Sequence, residues 1–205
     1  MHIEKHFQLT DLERLQAIIA KNSFGLFITA DLNSTHLPFV SELDENGKLC
    51  LFAHMAKANS HWKTIDNKRG LIVFSGPHAY ISPNWYAKKP AVPTWNYVAV
   101  HCYGDVQLLN DNETVARMNQ LVSHYEPDLL DDQNTMPDDF QQRLRQGVVG
   151  FKLEVTDIQG KEKLGQHRSH EDQQGVFTGL TNSADPIAKL LAEYMKEHNL
   201  GNGEA

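Results

Sequence analysis

Cysteine is nearly absent from this 205-residue chain, Cys50 and Cys102 being the only two. Both stand inside apolar, strand-like runs, which excludes a disulfide framework or a cysteine metal knuckle and predicts buried, reduced thiols. No apolar run is long enough to span a bilayer, and the opening MHIEKHFQLTDLERL alternates charge with hydrophobes instead of forming a signal-peptide core. The expected location is therefore the cytoplasm, with no membrane partner. Basic residues are scarce as well. Nineteen Lys and Arg against 26 Asp and Glu give a formal charge of −7, the wrong sign for binding driven by a phosphate backbone, and residues 118–142 contain neither Lys nor Arg. The chain lacks a G-x-S-x-G elbow, a P-loop, a dinucleotide glycine fingerprint and an HExxH pair, so the common hydrolase, nucleoside-triphosphatase, Rossmann and metalloprotease readings lose their main warrant. The eleven histidines form no compact ligand set, and no metal is expected.

What the chain does have is one aromatic segment, GPHAYISPNWYAKKPAVPTWNYVAVHCYG, from Gly76 to Gly104. It carries four of the six tyrosines, two of the three tryptophans and half of the prolines. Flat apolar side chains interleaved with Ser82, Asn84, Thr94 and Asn96 suit the wall of a site for a planar, partly polar ligand; a rigid loop packed on a core is the alternative. The segment is too irregular to be one helix or one strand.

Around it, Thr10-Asp11-Leu12-Glu13 fits a capping box and predicts a helix over about 11–21. Apolar runs at 24–29, 37–43, 48–53, 70–75, 94–109 and 148–158 read as strands, with a turn at Asp44-Glu45-Asn46-Gly47. Residues 56–65 are helix-compatible. Helices are further expected over 111–125, after Pro137, around 170–177 and over 185–198. Several strands joined by short turns, with helices at the ends, predict an antiparallel barrel with peripheral helices rather than βαβ units. Residues 1–160 are expected to form the core domain, with 161–205 a basic loop and helices packed on it.

Two stretches could carry chemistry. The first is His54-Met55-Ala56-Lys57-Ala58-Asn59-Ser60, where a strand ends and a helix is expected to start, so that backbone N–H groups and Lys57 could hold a phosphate. The second is 161–179, where Lys163, Gln166, His167, Arg168 and His170 fall within eight positions. An arginine fork and a glutamine amide there could bind a phosphate or a carbonyl-rich ring. A solvated lysine and an exposed polar loop are the competing readings.

The blocks HMAKAN from His54 to Asn59, GPHAYISPNWY from Gly76, VPTWNYVAVHCYG from Val92 and KLGQHRSHEDQQGVFTGL from Lys163, in this order, resemble the PaiB family. The resemblance implies a mainly β (α+β) fold with peripheral helices, the antiparallel split β-barrel of FMN-binding type. It also implies a two-fold homodimer with the flavin between subunits and Lys57 as phosphate ligand. The cofactor contacts expected are His54, Lys57, Asn59, His78, Tyr80, Trp85, Trp95, Asn96, His101, Lys163, Gln166 and Arg168, with no catalytic acid or base named. His167 stands where the family usually has an asparagine, and Gln173 where it has an arginine. Members are commonly described as negative transcriptional regulators. With no helix-turn-helix and no basic stripe here, regulation through flavin or a protein partner is expected rather than direct DNA binding. A flavin-dependent oxidoreductase of small substrates is one alternative. A haem-binding barrel with His78 or His101 as axial ligand is another.

Overall fold

The computed structural model describes residues 1–204. Eight strands and five helices follow one another as β1 (Gln8–Leu9), α1 (Leu12–Lys21), β2 (Phe24–Thr29), β3 (Ser34–Pro38), β4 (Val40–Leu43), β5 (Leu49–Ala56), β6 (Arg69–Ile81), β7 (Thr94–Leu108), α2 (Asp111–Tyr125), α3 (Asp138–Arg145), β8 (Val148–Lys163), α4 (His170–Thr181) and α5 (Pro186–Glu197). The strands hydrogen-bond in the order β3-β2-β6-β7-β8-β5-β4, with β1 on β8. The β2·β3, β2·β6, β4·β5, β5·β8 and β1·β8 pairings are antiparallel.

Contacts divide the chain into two compact units. One comprises residues 16–74 and 101–158, the other residues 1–15, 75–100 and 159–205. In the first, the core is aromatic: the Phe27 and Phe151 ring centroids lie 5.0 Å apart, and Phe39 meets Phe74 at 5.7 Å and Phe151 at 6.2 Å, both edge-on. Ile65, Ile72, Leu51, Leu153 and Val106 fill the space around them and are fully buried. Helix α2 starts where its sequence directs. The Asn110 side chain accepts from the Glu113 N–H while Glu113 reaches back to the Asn110 N–H, a reciprocal capping box. The helix then docks on β8 at Gly150, where a Cβ would stand 2.4 Å from Thr114 Oγ1.

In the second unit, α4 and α5 bury Val176, Leu180, Leu191 and Met195 with Leu164, just after β8, and Leu15. Its interior also holds charge. Arg14 Nη2 lies 2.7 Å from Glu162 Oε1, and the Tyr194 hydroxyl donates to the same carboxylate oxygen. Two glycines let α4 come close to the aromatic segment: a Cβ on Gly175 would fall 2.0 Å from the Trp85 carbonyl oxygen, and one on Gly179 would fall 2.3 Å from the Trp85 ring.

The structure corrects several expectations. Residues 56–65 form no α-helix, only a 3-10 turn over Ser60–Thr64. The expected strand over 37–43 is two, broken at Phe39, whose N–H bonds the Ser23 carbonyl at 2.8 Å. The first six residues of the aromatic segment are not loop but the end of β6, and β8 runs on to Lys163. Within β6 the buried positions change from even numbers (Gly70, Ile72, Phe74, Gly76) to odd ones (Ala79, Ile81) on either side of Pro77. That inversion turns His78 and Tyr80 to the open face. It also hides the strand from any search for simple alternation.

Candidate functional site

The expected site residues fall into two groups, one in each unit. In the first unit, Lys57 follows the end of β5, exposed, with its N–H on the Gly147 carbonyl at 2.8 Å and its own carbonyl accepting from Trp62 Nε1 at 2.9 Å. The backbone donors around it are taken up locally: Asn59 N–H bonds Ala56 O, and His61 N–H bonds Asn59 Oδ1. Asn59 Nδ2 donates to Thr35 Oγ1 at 3.2 Å. The expected N–H cradle at a helix start is therefore absent, and Asn59 serves the turn.

Lys57 borders a cleft of about 420 Å³. Thr114 and Val115 of α2, Gln142, Arg145 and Gln146 at the end of α3, and Val148 at the start of β8 form its other walls, with Asp111 and Asn112 at its rim. Arg145 Nη2 donates to Gln141 Oε1 at 2.9 Å and to Asn119 Oδ1 at 3.3 Å, which holds the guanidinium in place. Arg145 carries no sequence signal of its own, because it ends a polar helix with no buried residue. Its only mark was that the Lys- and Arg-free stretch stops just before it.

Three histidines in this unit have pKa values lowered by burial. His54 on β5 is half-buried. His61, which the sequence treated only as a poor metal ligand, is buried; its Nε2 lies 2.8 Å from Thr29 Oγ1 and its Nδ1 2.9 Å from Thr35 Oγ1, and its ring stacks on Phe27. His101 on β7 has a buried Nδ1 with no hydrogen-bond partner, and desolvation lowers its pKa. Burial also pushes the Cys102 thiol up to about 12.

In the second unit, His78, Tyr80 and Trp95 come together. The His78 and Trp95 rings lie 5.8 Å apart at 32°, and Tyr80 meets Trp95 edge-on at 6.4 Å. Tyr80 and Trp95 are each about half exposed, while His78 Nδ1 is buried and without a hydrogen-bond partner. Lys163 Nζ donates to Thr94 Oγ1 at 2.7 Å and to the Trp95 carbonyl at 2.9 Å; desolvation, with the Lys161 and Arg168 charges, lowers its pKa. Arg168 stands over the Tyr86 ring at 5.0 Å. The other expected contacts serve the scaffold. Gln166 accepts from the Leu164 N–H and donates to the Glu162 carbonyl, Asn96 is buried beside the Gly165 turn, and Trp85 packs on α4. Gly165 needs its freedom, since φ of +83° turns the chain out of β8.

Among the described residues, no cluster of three or more His, Cys, Asp or Glu could hold a metal, and no helix is long and apolar enough to cross a membrane.

Residues 1–157 match a family described as "Putative FMN-binding domain". The chain is 36% identical to "Protease synthase and sporulation protein PAI 2" of Bacillus subtilis over 96% of its own length and 97% of that protein's. An uncharacterized protein of Emericella nidulans is 28% identical over 89% of this chain and 91% of its own. Among solved structures, the flavocytochrome Anf3 of Azotobacter vinelandii superposes with a TM-score of 0.59 at 13% identity, covering 80% of this chain and 73% of that one. A FAD and heme binding protein of Mycobacterium smegmatis gives 0.58 at 12%, covering 77% and 74%. At such identities these structures establish the fold alone. The family match and the length of the Bacillus alignment together make the chain a member of the PaiB family, FMN-binding proteins of split-barrel fold.

Proposed function

We propose that this protein binds FMN and seats its phosphate in the Lys57–Arg145 cleft, working as a homodimer in the cytoplasm. The observation that carries the reading is the donor set. An ammonium and a guanidinium from separate elements border one cleft with the Gln142 and Gln146 amides and the Thr114 side chain, and only Asp111 opposes them. Such a set fits a phosphate, because charge-assisted hydrogen bonds are about twice as strong as neutral ones and a guanidinium fork matches phosphate oxygens two at a time. Bound there, FMN would supply reversible one- and two-electron chemistry, and the chain would supply position and a partly dry environment. The Bacillus relative is named for protease synthesis and sporulation. A regulatory role here runs through flavin state or a protein partner, since the net charge of −7 opposes direct DNA binding.

The test is FMN titration of the purified protein, followed by absorbance and flavin fluorescence, beside Lys57→Ala. Losing one charge-assisted contact should weaken FMN about tenfold or more. Wild-type protein that neither shifts nor quenches added FMN overturns the reading. Haem is a second reading, favoured by His101, whose ring keeps a buried, unbonded Nδ1. It requires a Soret band on haem addition that His101→Ala abolishes.

A further inference from the structure

The cleft leaves the open sheet face of the second unit unexplained. Alternate residues of a strand share a face, so His78 with Tyr80, Trp95 with Tyr97, and Lys161 with Lys163 point the same way in pairs. Contacts join the pairs into one surface. His78 and Tyr80 meet Trp95, Lys163 Nζ holds the Trp95 carbonyl, and Lys161 Nζ lies 5.5 Å from the Tyr97 ring centre. Beyond Lys163 the surface turns cationic. His167 packs against His6 at 5.1 Å and Phe7 at 5.3 Å, and its pKa is lowered by desolvation first and then by the neighbouring Arg168, His6 and Lys163. The acid acting on this group is Glu4, and it is bound to Lys161 at 3.3 Å. Lys163 and Arg168 therefore stand on this surface with the acid that acts on His167 already engaged by Lys161, and a phosphate would supply counter-charge.

We infer that this face binds a nucleotide other than the cleft's FMN, its flat heteroaromatic ring on the Trp95–Tyr80 ledge and its phosphate on Lys163, His167 and Arg168. Lys163 is the joint between the halves, with its ammonium at the root of the exposed indole. The His78 ring, tilted 32° from Trp95 at 5.8 Å, supports the ledge from beneath. Stacking on one aromatic side chain and one phosphate contact each contribute roughly tenfold or more in affinity, which is why both are needed. The inference rests on the cleft reading, since it takes the cleft as the FMN site when it calls the ligand a second nucleotide.

The experiment titrates FMN-saturated protein with adenosine monophosphate, following Trp fluorescence and the phosphorus-31 resonance, and repeats this for Trp95→Ala, Arg168→Gln and Lys57→Ala. The expected result is saturable binding with FMN still bound. It should be weakened about tenfold in Trp95→Ala and Arg168→Gln, with FMN affinity kept within about twofold, and unaltered in Lys57→Ala. Displacement of FMN by the nucleotide overturns the inference and assigns the face to the flavin. Absence of binding, with a monomer produced by Trp95→Ala in sedimentation, overturns it and gives the face to a second copy of the chain. FMN affinity unchanged in Lys57→Ala, with nucleotide binding lost in Trp95→Ala, overturns the cleft reading while supporting nucleotide binding on this face.

Discussion

The unit that holds Lys57 closes its core with four phenyl rings, whereas the unit that holds Trp95 buries a glutamate, a lysine and a tyrosine, Glu162 held by the half-buried Arg14 and by Tyr194, and Lys161 by Glu4. Rings pack wherever volume allows, so the first core tolerates any approach that keeps it full. Buried charges are fixed in direction, so the second core holds β8, α1 and α5 in one register. The sites differ accordingly. The first unit presents a polar cleft on the outside of an apolar core. The second presents a ringed and cationic sheet face whose reverse is anchored by the Arg14–Glu162–Tyr194 triad.

The largest effects should come from breaking each core in its own way. Phe27→Ala removes a fully buried ring that touches Phe151 and His61 and should cost about 4 kcal/mol in urea unfolding. Glu162→Gln leaves Arg14 without its counter-charge. Because the Arg14 side chain is still 24% exposed, the loss should sit near the low end of the range for broken buried pairs, about 3 kcal/mol. The triple change Arg14→Met, Glu162→Met and Tyr194→Phe, which removes all three polar partners together, should recover most of that loss, whereas no second substitution beside Phe27 that leaves the volume empty will do so. If the triple variant is no more stable than Glu162→Gln, the triad is not what distinguishes the two cores.

These two cores were not equally readable. The phenylalanines stand in apolar runs that announce strands, and Asn110 with Glu113 announces the start of α2, because both signals are local. Lys161 and Glu162 read as the start of a basic loop beyond the last strand, yet both are about 5% exposed. Their partners Glu4 and Arg14 lie some 150 residues away in sequence, and no local pattern reports a partner at that distance. The same holds for the sites. Trp95, Tyr80, His78 and Lys163 could be nominated by residue type, and the structure brings them together. Arg145 could not, since only the fold of α3 against α2 carries it to Lys57's cleft.

A pH series separates the units next. His54, His61 and His101 of the first unit all have pKa values lowered by burial from 6.5, against an opposing pull of Asp31 on His61 alone. A base with a depressed folded pKa binds fewer protons folded than unfolded, so stability is full above the unfolded value. It is lost as pH falls below about 6.5 toward the folded values. Unfolding midpoints should therefore drop between about pH 7 and pH 5, and His61→Gln, which keeps a side-chain amide near Thr29 and Thr35, should flatten that slope. An unchanged slope in His61→Gln would move the acid sensitivity to His54, to His101 or to His167 of the second unit.

The smallest effect is the most discriminating for the cleft. Arg143 and Arg145 lie two apart on α3, but Arg143 reaches Asp139 at the surface, with side chains 68% and 74% exposed, while Arg145 turns to Gln141 and Asn119 beside Lys57's cleft. An exposed i,i+4 pair contributes about 0.3–0.5 kcal/mol, so Arg143→Ala should barely move the unfolding midpoint and should leave FMN affinity as it was. Arg145→Ala should change stability little more, yet weaken FMN about fivefold or more, because a guanidinium facing a phosphate in a half-enclosed cleft is screened less than one in water. Equal FMN affinity in the two variants would mean that α3 only roofs the cleft, and that Lys57 holds the phosphate without it.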